Sequence, residues 1–364
     1  MPGLELDRRT LRLIAIAFVL LAALSIHRLF FAEAPNASDV LIVQGRTMGT
    51  TFKIRIAGDG LDESLRRRVE EETSRRLTQI DGWMSNWNPE SEIARFNSQH
   101  DTRNFPVSPE TAEIVAFAIA LNEASGGAFD ISVGPLVARW GFGNDARIDG
   151  PPSKDEIAKL RSHMGAGVLR VSSNSAIGGP FLGKNDPLVE IDLSAIAKGY
   201  GVDHVANGLA GLGRRDYLVE IGGEVRAKGE RPGGGPWRIA IEKPLDDGRG
   251  VQFIIELQDE AMATSGDYRI FYIEGGKRFS HTIDPRTGRP VDGGPASVTV
   301  VAKTAAKADA WATTLMVLGE KDGLPLAEKR GIAALLLVRD ENATIVERRS
   351  ALFPETTRIS AGEN

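Results

Sequence analysis

An acidic side chain and a hydroxyl one helical turn apart, Asp309 and Thr313, have the types and spacing of metal ligands. They lie in residues 304–318, where a capping Thr304, an apolar pattern and Gly319 predict a buried helix that ends at the glycine. Residues four apart share a helical face, so the two oxygens point the same way. A carboxylate in apolar surroundings is costly without positive charge, which Mg2+ would supply while keeping positions for a substrate phosphate. The alternative is that Asp309 caps a neighbouring loop or pairs with an arginine.

A second candidate segment, residues 190–200, places a predicted strand end against a helix start. Backbone N–H groups at a helix start favour an anion, and Lys198 adds positive charge one turn into the helix. Gly199 costs about 1 kcal/mol relative to alanine in a helix interior, which indicates a close approach of another group. The alternative is an ordinary strand-to-helix corner in which Asp192 caps the helix.

His281 stands where a strand runs into an Asp-Pro turn, and it is one of five histidines in the chain. Arg286 and Arg289 follow in the same turn, and both could face the phosphates of a ligand. The alternative is a surface turn with solvated arginines.

Two aromatic positions are candidates for contact with a planar ring. Trp87 lies in a loop marked by asparagines and Pro89, where it could stack on the ring or cover part of the core. Phe129 and Asp130 precede a Val-Gly-Pro sequence, and this segment is either a packed turn or a ligand contact.

The elements that must position these residues follow from periodicity, capping residues and turn signals. The predicted helices cover residues 61–80, 108–126, 153–161, 194–212 and 304–318. The predicted strands lie within residues 40–56, 168–171, 188–193, 217–302 and 333–349. Because neither a repeat nor a composition break divides the chain, the prediction is one α+β body with an antiparallel sheet and packed helices.

Composition excludes several classes of function. The 364 residues are 42% hydrophobic and 26% charged, as in folded globular proteins. Without cysteine the chain has no disulfide, zinc–thiolate site, iron–sulfur cluster or cysteine nucleophile. The net charge of -5 argues against nucleic acid as a partner. The sequence also lacks the motifs of P-loop NTPases, Rossmann dehydrogenases, zinc proteases and α/β-hydrolases.

The amino terminus has the pattern of an export signal. Arg8, Arg9 and Arg12 precede an apolar run over residues 13–26 that is short for a membrane span. The order of these arginines is similar to a twin-arginine signal. Residues 1–34 are therefore expected to be an export signal or, alternatively, an uncleaved membrane anchor. Both place the body in the periplasm, or facing the periplasm on the inner membrane.

Several segments, taken together and in order, resemble the ApbE family, the FAD:protein FMN transferases. They extend over almost the whole predicted body of residues 40–350 and leave residues 351–364 as a tail. A single motif of this kind is weak, whereas the ordered set is specific. The matching segments are residues 47–50, 84–97, 129–135, 192–200, 221–223, 264–266, 281–290 and 308–313.

The resemblance implies an ApbE-type α+β fold and the transfer of FMN from FAD to a threonine or serine hydroxyl of an acceptor protein. A phosphoester forms and AMP leaves. The resemblance further implies Mg2+ as the cofactor, FAD as the substrate, and an acceptor that belongs to a membrane redox or respiratory system.

Twelve residues receive roles from the same resemblance. His281 corresponds to the family's histidine associated with catalysis, through deprotonation or orientation of the acceptor hydroxyl. The metal ligands are the backbone oxygen of Ala195 and the side-chain oxygens of Asp309 and Thr313. At Ser194 and Ala195 many relatives carry glycine-like residues, a departure that a backbone ligand tolerates. The FAD contacts are Met48, Trp87, Phe129, Asp130, Ile131, Asp192, Lys198 and Ile283.

Two alternatives use the same site. In the first, water replaces the acceptor and the protein is a Mg-dependent FAD pyrophosphatase. In the second, the protein is a non-catalytic periplasmic flavin-binding protein.

Overall fold

The computed structural model describes residues 40–143, 150–172, 179–245, 250–267, 270–342 and 344–358. The leader predicted over residues 1–34 lies outside this part of the chain, as do residues 359–364 of the predicted tail. Within the described ranges, no helix is both long enough and apolar enough to cross a membrane.

An eight-stranded antiparallel sheet forms the centre of the fold. Its fifth, sixth and seventh strands are the most deeply buried, because helices cover one face of the sheet and a smaller sheet covers the other. In spatial order the strands are β1 (Val40–Thr47), β2 (Thr50–Ala57), β6 (Tyr217–Ile221), β7 (Glu224–Lys228), β10 (Ala261–Gly266), β15 (Ser297–Ala302), β16 (Ala333–Arg339) and β17 (Ile345–Arg349).

The smaller sheet has three antiparallel strands, β18 (Thr356–Arg358), β9 (Val251–Leu257) and β8 (Trp237–Glu242). In β8 every second side chain from Trp237 is buried, as expected for a strand with one face on the core. Strand β18 lies in the segment that the sequence set apart as a tail. Because β18 pairs with β9 and Phe353 is buried, that segment belongs to the body as far as residue 358.

Helices cover the opposite face of the central sheet, where α6 and α7 pack against each other and α1 packs on α6. The helices are α1 (Glu63–Met84), α2 (Glu92–Ser98), α3 (Pro109–Ala124), α4 (Gly134–Arg139), α5 (Lys154–Arg161), α6 (Ala197–Gly211) and α7 (Ala305–Arg330). A second three-stranded sheet has the order β3 (Phe105–Pro106), β5 (Phe181–Lys184) and β4 (Leu169–Ser172). The remaining strands form two hairpins. One hairpin is β11 (Phe271–Glu274) with β12 (Lys277–Ser280), and the other is β13 (Ile283–Asp284) with β14 (Arg289–Pro290).

The predicted α+β class with an antiparallel sheet and packed helices is confirmed. The predicted end of the last helix at Gly319 is wrong. Gly319 is itself non-helical, with φ 73° and ψ -173°, but the helix resumes after this kink and runs to Arg330.

The strand predicted over residues 188–193 is also wrong, although its apolar residues alternate as in a strand. Several of its backbone groups form hydrogen bonds with side chains, where those of a strand would pair with a neighbouring strand. Asn97 both donates to the carbonyl of Ile191 (2.9 Å) and accepts from its N–H (2.7 Å). The buried Lys184 donates to the carbonyl of Val189 at 3.0 Å.

Candidate active site

All twelve residues to which the sequence assigned a role line one cavity of about 1030 Å³. Its walls come from segments as distant in the chain as the β1–β2 turn and α7. The structure therefore brings the candidate residues together, while the role of each stays a prediction. The residues are Met48, Trp87, Phe129, Asp130, Ile131, Asp192, Ala195, Lys198, His281, Ile283, Asp309 and Thr313.

The carboxylate of Asp309 is buried and is held by the N-terminus of α6. Its Oδ2 accepts the N–H of Gly199 at 3.0 Å. The first N–H groups of a helix have no partner within the helix, and the N-cap residue of α6, Ile196, makes no capping bond through its side chain. Asp309 thus caps a neighbouring element, as the alternative interpretation supposed, but the capped element is a helix and only one carboxylate oxygen is engaged.

The close approach expected at Gly199 is confirmed. A Cβ at this position would lie 2.3 Å from the carbonyl oxygen of Ala305 and 2.8 Å from Cα of Ala306. Only a glycine allows α6 and α7 to come this near, and their proximity places the Gly199 N–H within hydrogen-bond distance of Asp309.

The second oxygen of Asp309 faces a shared ammonium group. Lys198 Nζ lies 3.9 Å from Asp309 Oδ1, which is outside hydrogen-bond range, and 2.5 Å from Glu224 Oε1. Glu224 also lines the cavity and is only 2% exposed. The sequence reasoning missed this residue. Its position directly after Gly222-Gly223, one of the motifs shared with the family, is the signal that could have identified it.

Burial makes both acids harder to ionise. It raises the pKa of Asp309, against the opposing charge of Lys198 and the Gly199 hydrogen bond. Burial also raises the pKa of Glu224 to about 7; Lys198 opposes this rise and Asp309 adds to it. When all three groups are charged, two carboxylates face one ammonium, so this wall of the cavity favours a further cation.

The three predicted metal ligands offer oxygen donors to the same cavity. The hydroxyl of Thr313 lies 3.2 Å from that of Ser265. Ala195 precedes the N-cap of α6, so its carbonyl stands outside the hydrogen-bond ladder of that helix. In the described part of the chain, no three His, Cys, Asp or Glu side chains cluster as a metal site. Oxygen donors of this kind are the ligands that Mg2+ takes, together with oxygens of water or of a substrate phosphate.

Met48 enters the cavity from a strained turn. Met48 and Gly49 join β1 to β2 in a two-residue hairpin turn, and their φ angles are 48° and 71°. Positive φ at both positions is typical of the type I′ turn, in which the first residue is usually Asn, Asp or Gly. A methionine in this conformation is uncommon, and such strain is often found where a side chain has a functional position.

The two aromatic candidates differ in exposure. Trp87 is 69% exposed at the cavity, so it does not cover the core, and its indole is open to a ligand ring. Phe129 is 2% exposed, and residues at the end of α3 form hydrogen bonds with its backbone. Asn122 donates to its carbonyl at 2.7 Å, and Ser125 accepts its N–H at 3.1 Å.

Asp130 and Asp192 each close a tight turn with a serine two residues later. Asp130 accepts from the N–H (2.8 Å) and hydroxyl (2.6 Å) of Ser132, and burial raises its pKa while these bonds oppose the rise. Asp192 accepts from the N–H (2.8 Å) and hydroxyl (2.5 Å) of Ser194, so it does not cap α6 as one interpretation supposed. The N–H of Asp192 donates to the carbonyl of Ile131 at 2.6 Å, which ties the two turns together.

His281 follows β12, close to the buried Ile283 of β13. Its Nδ1 lies 3.1 Å from the carbonyl oxygen of Ile270. Because a carbonyl only accepts, Nδ1 carries the hydrogen, and Nε2 is left with its lone pair. Burial lowers the pKa of His281, with Lys198 adding to the effect, so the neutral imidazole is favoured.

The surface-turn interpretation of Arg286 and Arg289 agrees with the structure. Arg286 donates through Nε and Nη2 to the carboxylate of Asp284, both at 2.9 Å. Arg289 is exposed, and neither arginine lines the cavity.

Comparison with known proteins extends over most of the chain. The model of the ApbE family matches residues 48–336. A FAD:protein FMN transferase from Haemophilus influenzae is 41% identical over 326 residues, which cover 89% of this chain and 93% of the relative. One from Vibrio cholerae is 43% identical over 315 residues, which cover 86% and 92%.

Solved structures agree with the sequence relatives. The flavin transferase ApbE from Vibrio cholerae has a TM-score of 0.78 at 43% identity, over 86% of this chain and 98% of that chain. The apo form of the flavinyl transferase ApbE from Pseudomonas stutzeri has a TM-score of 0.76 at 37% identity, over 86% and 95%. The resemblance seen in the ordered motifs is thereby confirmed, and this chain belongs to the ApbE family.

Proposed function

We propose that this protein transfers FMN from FAD to a threonine or serine hydroxyl of an acceptor protein. The names of its relatives support the reaction class. The observation that carries the proposal is the convergence of twelve motif residues on one cavity of about 1030 Å³. That cavity combines a buried acid, an unprotonated imidazole nitrogen and an exposed indole.

In this reaction the acceptor oxygen attacks the phosphorus on the riboflavin side of FAD. The new phosphoester bond forms as the bond to the AMP oxygen breaks, and AMP leaves. Nε2 of His281 accepts or orients the proton of the acceptor hydroxyl, since Nδ1 is occupied by the carbonyl of Ile270.

Asp309, Thr313 and the carbonyl of Ala195 would hold Mg2+. When bound, the ion would neutralise charge on the pyrophosphate, which is the main demand of phosphoryl transfer. The N-terminus of α6 keeps the Asp309 carboxylate in place for this purpose.

The remaining predicted contacts include groups suited to a planar ring of FAD and to its pyrophosphate. Trp87 offers an exposed ring for stacking, and Met48 projects from its turn into the same cavity. Lys198 supplies positive charge at the start of α6, where the pyrophosphate is expected.

Export is the second part of the proposal. The charged and apolar pattern of residues 1–34 supports a periplasmic body, either released or anchored on the inner membrane. An acceptor in a membrane redox or respiratory system would face the same compartment.

One incubation separates this function from its alternatives. The full chain is mixed with FAD, Mg2+ and a redox-complex subunit from the same organism. Fluorescent flavin that stays on the denatured subunit indicates transfer. Release of FMN and AMP without labelling indicates FAD hydrolysis, and intact bound FAD indicates a carrier.

The cation site has its own test in Asp309→Ala, with Asp309→Asn as the matched variant. Both should abolish transfer, because neither supplies a carboxylate, and the asparagine can still accept the N–H of Gly199. Folding is checked by circular dichroism. Transfer retained at low Mg2+ by either folded variant would contradict the assignment.

A further inference from the structure

Two buried carboxylates from different elements share one ammonium group in the cavity wall. Lys198 Nζ lies 2.5 Å from Glu224 Oε1 and 3.9 Å from Asp309 Oδ1. The side chains of Glu224 and Asp309 are 3% and 4% exposed, whereas that of Lys198 is 32% exposed. Both acids are therefore buried, and the lysine is the most exposed of the three side chains.

The chain provides a specific place for this contact. Glu224 begins β7 directly after the Gly222-Gly223 turn and pairs in register with Ile221. A Cβ on Gly222 would lie 3.3 Å from Cδ of Lys198 and 2.9 Å from Cγ2 of Thr50. The glycine therefore leaves room for the lysine stem to reach Glu224.

The distances decide which acid holds the lysine. At equal screening, the attraction at 2.5 Å is about 1.6 times that at 3.9 Å. The shorter contact is also a charge-assisted hydrogen bond, and the longer one is not. The other oxygen of Glu224, Oε2, is buried without a hydrogen-bond partner among the described residues, so this acid depends on Lys198.

We propose that Glu224 is a positioning residue that holds Lys198 away from Asp309 and so keeps an oxygen of Asp309 available to the cation. The proposal rests on the cation site assigned above to Asp309, Thr313 and Ala195. A lysine bonded directly to Asp309 would take the position and the charge that the cation needs. Glu224 prevents this by offering the ammonium a nearer acid.

Replacing Glu224 with glutamine removes the charge and keeps the shape. Lys198 then closes the 3.9 Å gap and pairs with Asp309. A hydrogen bond to a charged group stabilises by about 1–1.5 kcal/mol more than a neutral one, and the cation must displace this bond. The cation affinity should therefore fall about tenfold. Lys198→Gln should bind the cation at least as tightly as the wild type, since no ammonium competes.

The experiment titrates the full chain with Mn2+ alone, without FAD, and follows the loss of the electron paramagnetic resonance signal of unbound Mn2+. Glu224→Gln is measured in the wild type and in the Lys198→Gln background. The expected result is a tenfold loss in the first background and a loss of about twofold or less in the second, because the two positions are coupled through the ammonium group that Lys198→Gln removes. An equal loss in both backgrounds would mean that Glu224 acts directly on the cation, which overturns the proposal.

Two further variants keep the outcome decisive. If Glu224→Gln does not fold, Glu224→Asp keeps the charge on a shorter side chain. A smaller loss that disappears in the Lys198→Gln background supports the proposal, and a loss that persists there overturns it. If Asp309→Asn binds Mn2+ like the wild type, the cation site itself is wrong. If Asp309→Asn loses Mn2+ and Glu224→Gln does not, only the role of Glu224 is wrong.

Discussion

Replacing Gly199 with alanine tests whether the contact between α6 and α7 holds Asp309 in place. The new Cβ would lie 2.3 Å from the carbonyl oxygen and 2.6 Å from the carbonyl carbon of Ala305. Both atoms belong to the backbone of α7, so they cannot turn aside as a side chain does. The helices must therefore separate by about 1 Å before this contact reaches an ordinary distance.

The separation has a calculable cost. It would lengthen the bond from Gly199 N to Asp309 Oδ2 from 3.0 Å to about 4 Å, which breaks it. A buried carboxylate that loses a donor costs about 1–3 kcal/mol, and overpacking costs a similar amount. The higher helix propensity of alanine offsets about 1 kcal/mol. The free energy of unfolding should therefore fall by about 1–5 kcal/mol.

Gly211, the last residue of α6, provides the matched control. A Cβ there meets nothing within 4 Å, so Gly211→Ala should change stability only through helix propensity, by about 1 kcal/mol or less in the stabilising direction. Urea unfolding and Mn2+ binding are measured on both variants. If Gly199→Ala unfolds at the same urea concentration as Gly211→Ala and binds Mn2+ like the wild type, the reasoning is refuted.

Three further outcomes are expected. Met48→Gly should stabilise the protein by up to about 1 kcal/mol, because the turn needs positive φ, yet weaken FAD binding; unchanged FAD affinity in calorimetry would count against the Met48 contact. Trp87→Ala should leave the melting temperature unchanged, since the indole is 69% exposed, and should reduce quenching of flavin fluorescence. Burial, with the nearby charge of Arg76, lowers the pKa of His204 from 6.5 to about 4, and Gln79 lies 2.9 Å from its Nε2. The native state therefore favours neutral His204, whose stabilising contribution is complete above pH 6.5 and is lost as the pH falls toward 4. The melting temperature of His204→Gln should decline less over that pH interval than the melting temperature of the wild type. Parallel declines in the two proteins would exclude a contribution of His204.

Local signals predicted much of the fold because the hydrogen bonds that cap the start of a helix join residues close together in the sequence. Thr304 accepts the N–H of Lys307 at 3.3 Å, and Ser108 accepts that of Thr111 at 3.2 Å, as capping residues do. Gly319 misled the same reasoning. A glycine is a typical helix end, but whether the chain resumes the helix afterwards depends on packing beyond it.

Contacts between distant segments were not accessible from local patterns. Glu224 follows a hairpin turn, where an acid is normally solvated, and its partner Lys198 lies on a different element. Gly199 gave a partial signal, because a helix-interior glycine needs a reason, but the sequence did not identify α7 as that reason. Recognition of the site therefore came from the ordered motifs, whereas its electrostatics came only from the tertiary structure.

The hydrogen bonding of Asp309 explains how its carboxylate can be held in place and still be available to a cation. If an arginine or lysine fixed it directly, the same contact would neutralise its charge and fill its coordination position. The N–H of Gly199 instead holds Oδ2 through a backbone dipole, which orients the carboxylate without cancelling its charge. Because Lys198 is bonded to Glu224, Oδ1 keeps its distance of 3.9 Å from the ammonium. The N–H of Gly199 thus orients the carboxylate of Asp309, and the neutralisation of its charge is left to the bound cation.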